Sequence, residues 1–274
     1  MSDSRPSVVH DSPLLSYRYT RALVRRPGPE LIRALSMNDT AGGIDPEAAL
    51  AQHEAYISAL ESLGVDVHVL PSEPDYPDGV FVEDTAVVLP GAVVITRPGA
   101  PSRRGETKSV ARAFAELSPD LEIIPMPEGQ ATVDGGDVLR LGDCYYIGIS
   151  GRTNEAGAEW LTARAEERGC RGKTVPVGES LHLTTVVTPV SFDTVIGTED
   201  ILPHFSGDAV RTIAVPPDES AAGNVLVVNG TVIVPAGCPE VTEMLHRAGF
   251  AAVEVDVSQY ARADGALTCL SVLW

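Results

Sequence analysis

A chain of 274 residues, 44% of them hydrophobic, is long enough to bury a sizeable core and sets a prior of one or two domains. Its 38 acidic and 20 basic residues leave a net charge of −18, a field that repels phosphate backbones and anionic membrane surfaces and favours cationic ligands. No apolar run reaches the ~20 residues that span a bilayer, and MSDSRPSVVHDSP lacks a basic start followed by an apolar core, so a cytoplasmic protein with no nucleic-acid or membrane partner is expected.

Residues 1–12 read as a flexible tail. SYRYTRALVRR is a strand, PELIRAL is helical, and SMNDTAGGIDP is a lid-like loop. A helix follows from Asp45 to Leu63, with Asp45 as N-cap, Pro46 at the first position, a stripe at Ala49, His53, Tyr56, Leu60 and Leu63, and Gly64 as the stop. VDVHVL is the next strand.

From here one pattern recurs: a polar residue, an aliphatic strand, a tight turn, a second aliphatic strand, a loop, a helix and a further strand. The copies begin at Glu83 (EDTAVVLPGAVVITRPGAPSRRGE), Asp134 (DGGDVLRLGDCYYIGISGRTNEAGAE), His182 (HLTTVVTPVSFDTVIGTEDILPHF) and Asn224 (NVLVVNGTVIVPAGCPEVTEMLHRAG). Leu89 to Gly91, Leu141 to Asp143 and Asn229-Gly230 carry hairpin chemistry, and Gly169 and Gly249 stand where helix C-caps belong. A fifth copy arises if TCLSVLW, at the carboxyl end, supplies one strand and SYRYTRALVRR the next. Five ββαβ units joined through the two ends of the chain make a closed α/β propeller with pseudo-fivefold symmetry, because closure removes exposed sheet edges. The expectation is one catalytic domain. A doubly wound sheet would show one strand per helix, and here each helix follows two.

In every copy the residue with chemical potential opens the first strand: Glu83 and Asp84, Asp134 and Asp137, His182, Asn224, and Cys269 in DGALTCLSVLW. Equivalent strand starts in a ring converge on its axis, so these distant positions share one pocket. Taken singly, each has a plainer explanation. A lone strand cysteine is usually a small core residue, as Cys144 in CYYIGI is expected to be, and His53, His68 and His246 read as structural. Four cysteines without a C-x-x-C pair imply free thiols, and no zinc, Walker or G-x-G-x-x-G motif supports a metal or nucleotide cofactor.

Cysteine, histidine and carboxylates together suit nucleophilic attack on an electrophilic carbon. A bound cation or nearby imidazolium lowers the thiol pKa, and His182, oriented by Asp134, serves as general acid and then general base. Asp78, Glu83 and Asp84 add more negative charge than such a triad uses. Carboxylates beside a thiolate need a cation, and a guanidinium matches them bidentately while its central carbon is the electrophile. Arg103 and Arg152 lie in equivalent loops of adjacent copies, where they could hold a carboxylate at the ligand's other end. That describes arginine or a derivative.

PDGVFVEDTAVV, ITRPGAPSRRGE, TVDGGDVL, SGRTNEAGAE, LHLTT and DGALTCLSVL resemble the dimethylarginine dimethylaminohydrolases, members of the guanidine-modifying (pentein) superfamily of five-bladed α/β propellers. The resemblance runs from about Tyr17 to the end. It implies Cys269 as nucleophile, His182 as general acid and base, and Asp134 as its support. Glu83 and Asp84 would bind the guanidine end. Asp78, with backbone groups near Leu35 and Ala263, would take the α-amino group, and Arg103 and Arg152 the α-carboxylate. The implied reaction converts methylated arginine to citrulline through an S-linked thiouronium, with no cofactor and a small molecule as partner; the family admits a homodimer. An arginine deiminase is the nearest alternative. Agmatine lacks the carboxylate that two arginines would hold, and a translation factor of the same fold would lack the Cys, His and acid set.

Overall fold

Turn chemistry sets the repeating unit. Gly91 (φ 71°), Gly142 (φ 58°), Asn229 (φ 50°) and Gly230 (φ 92°) take the left-handed backbone that two-residue hairpins need, each between aliphatic strands. The computed structural model describes residues 17–37, 40–206 and 210–274, and the expected tail at 1–12 lies outside the described residues.

In chain order the elements are β1 (Arg21–Arg25), α1 (Pro46–Ser62), β2 (Asp66–Leu70), β3 (Ala86–Leu89), β4 (Ala92–Ile95), α2 (Thr107–Leu117) and β5 (Glu122–Pro125). Then come β6 (Val138–Leu141), β7 (Cys144–Ile149), α3 (Glu155–Glu166), β8 (Arg171–Pro176), the one-turn α4 (Leu183–Val186), β9 (Val187–Ser191), β10 (Thr194–Gly197) and β11 (Arg211–Ala214). The last are β12 (Leu226–Val228), β13 (Thr231–Pro235), α5 (Pro239–Arg247), β14 (Ala251–Val255) and β15 (Ser271–Leu273).

These strands form five three-stranded sheets, in the orders β15-β1-β2, β3-β4-β5, β6-β7-β8, β9-β10-β11 and β12-β13-β14. In each, the first pair is antiparallel and the second parallel. A parallel partner requires a crossover, and the helix between second and third strand supplies it. Ring closure is as expected: β15 pairs with β1 in the register Ala22↔Leu273, Leu23↔Val272 and Val24↔Ser271. Both chain ends thus contribute to one blade of a five-bladed ββαβ propeller.

The expected N-cap is present, with Asp45 Oδ1 accepting from the amides of Glu47 (2.9 Å) and Ala48 (3.3 Å), and Ala49, His53, Tyr56 and Leu60 form the buried face of α1. Two expectations need correction. In the fourth blade the crossover is only a 3-10 turn, Leu202–Phe205, whose Leu202 and Phe205 fill the space a helix would cover. The chemically important residues, moreover, do not open the first strands. They sit one step earlier, in short helical turns at Val82–Thr85, Gly135–Asp137 and Thr268–Leu270 or at their flanks. The tight turn lets consecutive side chains point toward the axis before the chain enters the sheet.

Candidate active site

Each turn delivers its side chain by a local rule. Asp134 precedes the turn Gly135–Asp137, and His182 precedes α4, both with extended backbone, so their side chains project from the ends of the turns. Glycine is required where the blades meet: a Cβ on Gly135 would lie 1.9 Å from the Glu83 carbonyl oxygen, and one on Gly136 would lie 2.8 Å from His182 Nδ1 and 2.9 Å from Asp84 Oδ1. The DGGD motif is therefore a close-approach device, and its two acids face inward, fully buried.

Cys269, His182, Asp84, Asp78, Arg103, Arg152, Leu35 and Ala263 line one small pocket, together with Phe81, Leu181, Asp264 and Gly265. The two expected site residues outside that lining touch it indirectly. Asp134 stands behind His182, its Oδ2 3.0 Å from Nε2, while its Oδ1 accepts from the Gly99 amide at 2.8 Å. Glu83 Oε2 accepts from Thr268 Oγ1 at 2.9 Å, beneath Cys269. The ring of blades thus brings positions 78 to 269 together as expected.

The electrostatics follow from burial and neighbours. Desolvation alone would lower the His182 pKa, but the charges of Asp84, whose Oδ1 is 3.7 Å away, and of Asp134 and Asp137 prevail and raise it to about 9. The ring is therefore an imidazolium at neutral pH. Burial, aided by the Asp84 charge, lifts Glu83 to about 8. Burial and then the charges of Glu83 and Asp84 hold the Cys269 thiol well above its ordinary range. Asp84 shows the opposite balance: burial favours its neutral form, but His182 and Arg103 outweigh it and keep it ionised. The free site pairs a neutral thiol with a charged acid, awaiting a cation.

Arg103 sits differently from its expected position as a free clamp. Its Nη1 pairs with Asp84 Oδ2, Nη2 donates to Glu106 Oε2 and the Phe81 carbonyl (both 2.9 Å), and Nε lies 3.1 Å from both Glu106 oxygens. Most of its donors are thus spent within the protein, fixing Asp84 and the Asp78–Phe81 segment. Arg152 also lines the pocket, and its side chain makes no ion pair among the described residues. Asp78 Oδ1 accepts from the Leu35 amide at 2.9 Å, tying the expected lid segment to the pocket rim; Asp264 Oδ2 ties its other side through the Met37 amide at 2.5 Å.

Several contributors escaped the sequence. Glu106 follows Arg103 by three residues, a pairing distance on a helical turn that could have revealed it. Thr268 precedes the cysteine and joins Glu83 to Asn224, which holds the Thr268 amide (3.1 Å) and hydroxyl (2.9 Å). Asn224 had only its repeat position to recommend it. Asp84, Asp134 and His182 place donor atoms within 4.8 Å of one another, a spacing compatible with a cation, but the Arg103 charge on Asp84 and a protonated His182 oppose a metal ion there.

A closed ring of five ββαβ blades with its reactive groups at one end of the axis defines the pentein class. Within it, a model of the family described as "N,N dimethylarginine dimethylhydrolase, eukaryotic" matches residues 35–212. The chain belongs to the dimethylarginine dimethylaminohydrolase family. The N(G),N(G)-dimethylarginine dimethylaminohydrolase of Streptomyces coelicolor is 40% identical over 92% of this chain and 96% of its own length. The enzyme of that name from Pseudomonas aeruginosa is 35% identical, over 93% and 99%. A solved Pseudomonas aeruginosa structure, a cysteine-to-serine mutant complexed with citrulline, superposes with a TM-score of 0.89 over 94% of this chain and 100% of that one, at 35% identity.

Proposed function

We propose that the protein hydrolyses Nω-methylated arginine to citrulline and dimethylamine or methylamine, with Cys269 as nucleophile. The observation that carries this reading is the shared pocket: a thiol, an imidazolium and buried carboxylates from four blades meet in one small space. Family membership supports the same reaction.

The geometry gives each group a task. A guanidinium held by Asp84 and Glu83 brings positive charge beside the Cys269 thiol, lowers its pKa and so releases its proton to solvent. The thiolate adds to the guanidinium carbon, and His182, already protonated, gives its proton to the departing methylamine nitrogen. The neutral imidazole then takes a proton from water, whose oxygen attacks the S-linked thiouronium carbon. Sulfur leaves as thiolate, the hydroxyl proton of the resulting protonated urea restores the thiol, citrulline forms, and His182 is again an acid. Asp134 keeps the ring oriented and favours its charged form. Asp78, next to the Leu35 amide and Ala263, receives the α-ammonium group, and Arg152, with what Arg103 can spare, receives the α-carboxylate.

The protein so read is a single catalytic domain acting in the cytoplasm on a small-molecule substrate without a cofactor, and its family admits a homodimer. Among the described residues no helix is long and apolar enough to cross a membrane. The test is citrulline formation from asymmetric dimethylarginine, monomethylarginine and arginine, with Cys269→Ser as control. Turnover of the methylated substrates, little with arginine and none in the variant is expected. Preference for arginine would make the protein a deiminase.

A further inference from the structure

Beneath the reactive pocket, on the axis of the ring, lies a second cavity of about 160 Å³, lined by residues of β3, β6, β9, β12 and β15, the innermost strand of every blade. One end meets the floor of the reactive pocket at Glu83, Gly135 and Thr268. The innermost strands run away from that floor, and the other end holds Arg140, late in β6, with Tyr17, Tyr19 and Tyr145.

Arg140 is the unexplained group. Both terminal nitrogens of its guanidinium are buried, and neither has a partner of good hydrogen-bond geometry among the described residues. Tyr19 interacts with the guanidinium, but a neutral phenol supplies no counter-charge. The guanidinium carbon lies 5.1 Å from the centroid of the Tyr17 ring, whose hydroxyl donates to the Arg140 carbonyl oxygen at 2.6 Å, and the Tyr145 hydroxyl donates to the Val88 carbonyl oxygen at 3.0 Å. Among the described residues lining the cavity the sole carboxylate is Glu83, at the opposite end and protonated up to about pH 8. A permanently charged guanidinium in a chamber without a counter-charge calls for an ion or ordered water.

We propose that the rear of the axial cavity is a binding site for a small monovalent anion, held by the two terminal nitrogens of Arg140. A single guanidinium balances one negative charge. The site is separate from the hydrolytic groups. Because Tyr17 and Tyr19 lead into β1, whose pairing with β15 closes the ring, an anion there braces the closure.

Crystals of the full chain soaked in sodium bromide should show an anomalous peak in contact with the Arg140 guanidinium. The melting temperature should rise saturably with bromide relative to gluconate at matched ionic strength, as a ligand bound only by the folded state requires. Arg140→Met should abolish that difference. If this variant does not fold, the crystal and the wild-type melts still decide. Ordered water in place of bromide, or equal melts in the two salts, would overturn the proposal.

Discussion

Asp134 Oδ2 lies 3.0 Å from His182 Nε2, with both side chains buried and the other carboxylate oxygen fixed by the Gly99 amide. The carboxylate therefore has no freedom to serve another partner, and its charge helps keep His182 protonated up to about 9. Asp134→Asn preserves the shape and removes the charge. It should lower kcat by ~10²–10⁴ while KM changes little, because the loss falls on proton transfer. The alkaline limb of the pH-rate profile, set by loss of the acid, should move downward toward the ordinary histidine range. An unchanged limb would show that Asp134 is only a packing group.

The two arginines should separate in their kinetics. Arg152 lines the pocket and makes no ion pair among the described residues, so Arg152→Gln should raise KM for dimethylarginine by ~10–100-fold with a smaller effect on kcat, the signature of lost uniform binding. Arg103 is instead the buried centre of an ion cluster with Asp84 and Glu106. Glu106→Ala leaves that guanidinium under-compensated and should cost ~3–5 kcal/mol in urea unfolding, as removal of one partner from a buried pair does. Glu106→Gln should cost less and still lower kcat, because Asp84 loses its brace. Equal KM effects from Arg103→Lys and Arg152→Gln would instead assign both to the substrate carboxylate.

Gly136 tests the packing between blades. The added methyl of Gly136→Ala would have to displace either the His182 ring or the Asp84 carboxylate, both within 2.9 Å of its ideal position. Overpacking of this kind costs ~1–3 kcal/mol, and a misplacement of about 1 Å at reacting groups costs on the order of 10² in rate. Citrulline formation by the variant should fall by that factor even where a melt shows the protein folded. Full activity would mean the turn yields without disturbing either group.

What the sequence made legible divides along physical lines. Strand alternation, hairpin glycines and the Asp45 cap are local, so the blades and their closure through β15 and β1 could be read directly. The convergence of Asp84, Asp134, His182 and Cys269 followed from repeat position, since symmetry converts equal positions into a shared axis. Partner choice was not legible. Arg103 and Arg152 occupy equivalent loops and each has a glutamate three residues on, Glu106 and Glu155, yet among the described residues only Arg103 pairs with its own. The offset of two to five residues by which Asp84, Asp134, His182 and Cys269 precede their strands also escaped, because a turn of three or four residues carries no periodicity of its own.

Glu83 couples stability to pH in a way that can be measured. In an unfolded chain its carboxyl releases its proton near 4.5, whereas burial and the Asp84 charge hold that proton in the folded protein up to about 8. Its contribution to stability is complete below 4.5 and is lost as pH rises through that window, because above 8 the fold must also bear the buried charge. Glu83→Gln keeps an acceptor for Thr268 and does not titrate. Urea unfolding at pH 5 and 8.5 should therefore show the wild type losing ~2–4 kcal/mol more than the variant across the interval, at 1.36 kcal/mol per unit discounted for relaxation of the site. A guanidinium arriving at Glu83 expels the same proton. Calorimetry of dimethylarginine binding to Cys269→Ser near pH 6.5, in buffers of different ionisation heat, should show proton release that Glu83→Gln removes. Stability curves that run parallel, or binding with no proton released, would mean that Glu83 is already ionised in the free protein.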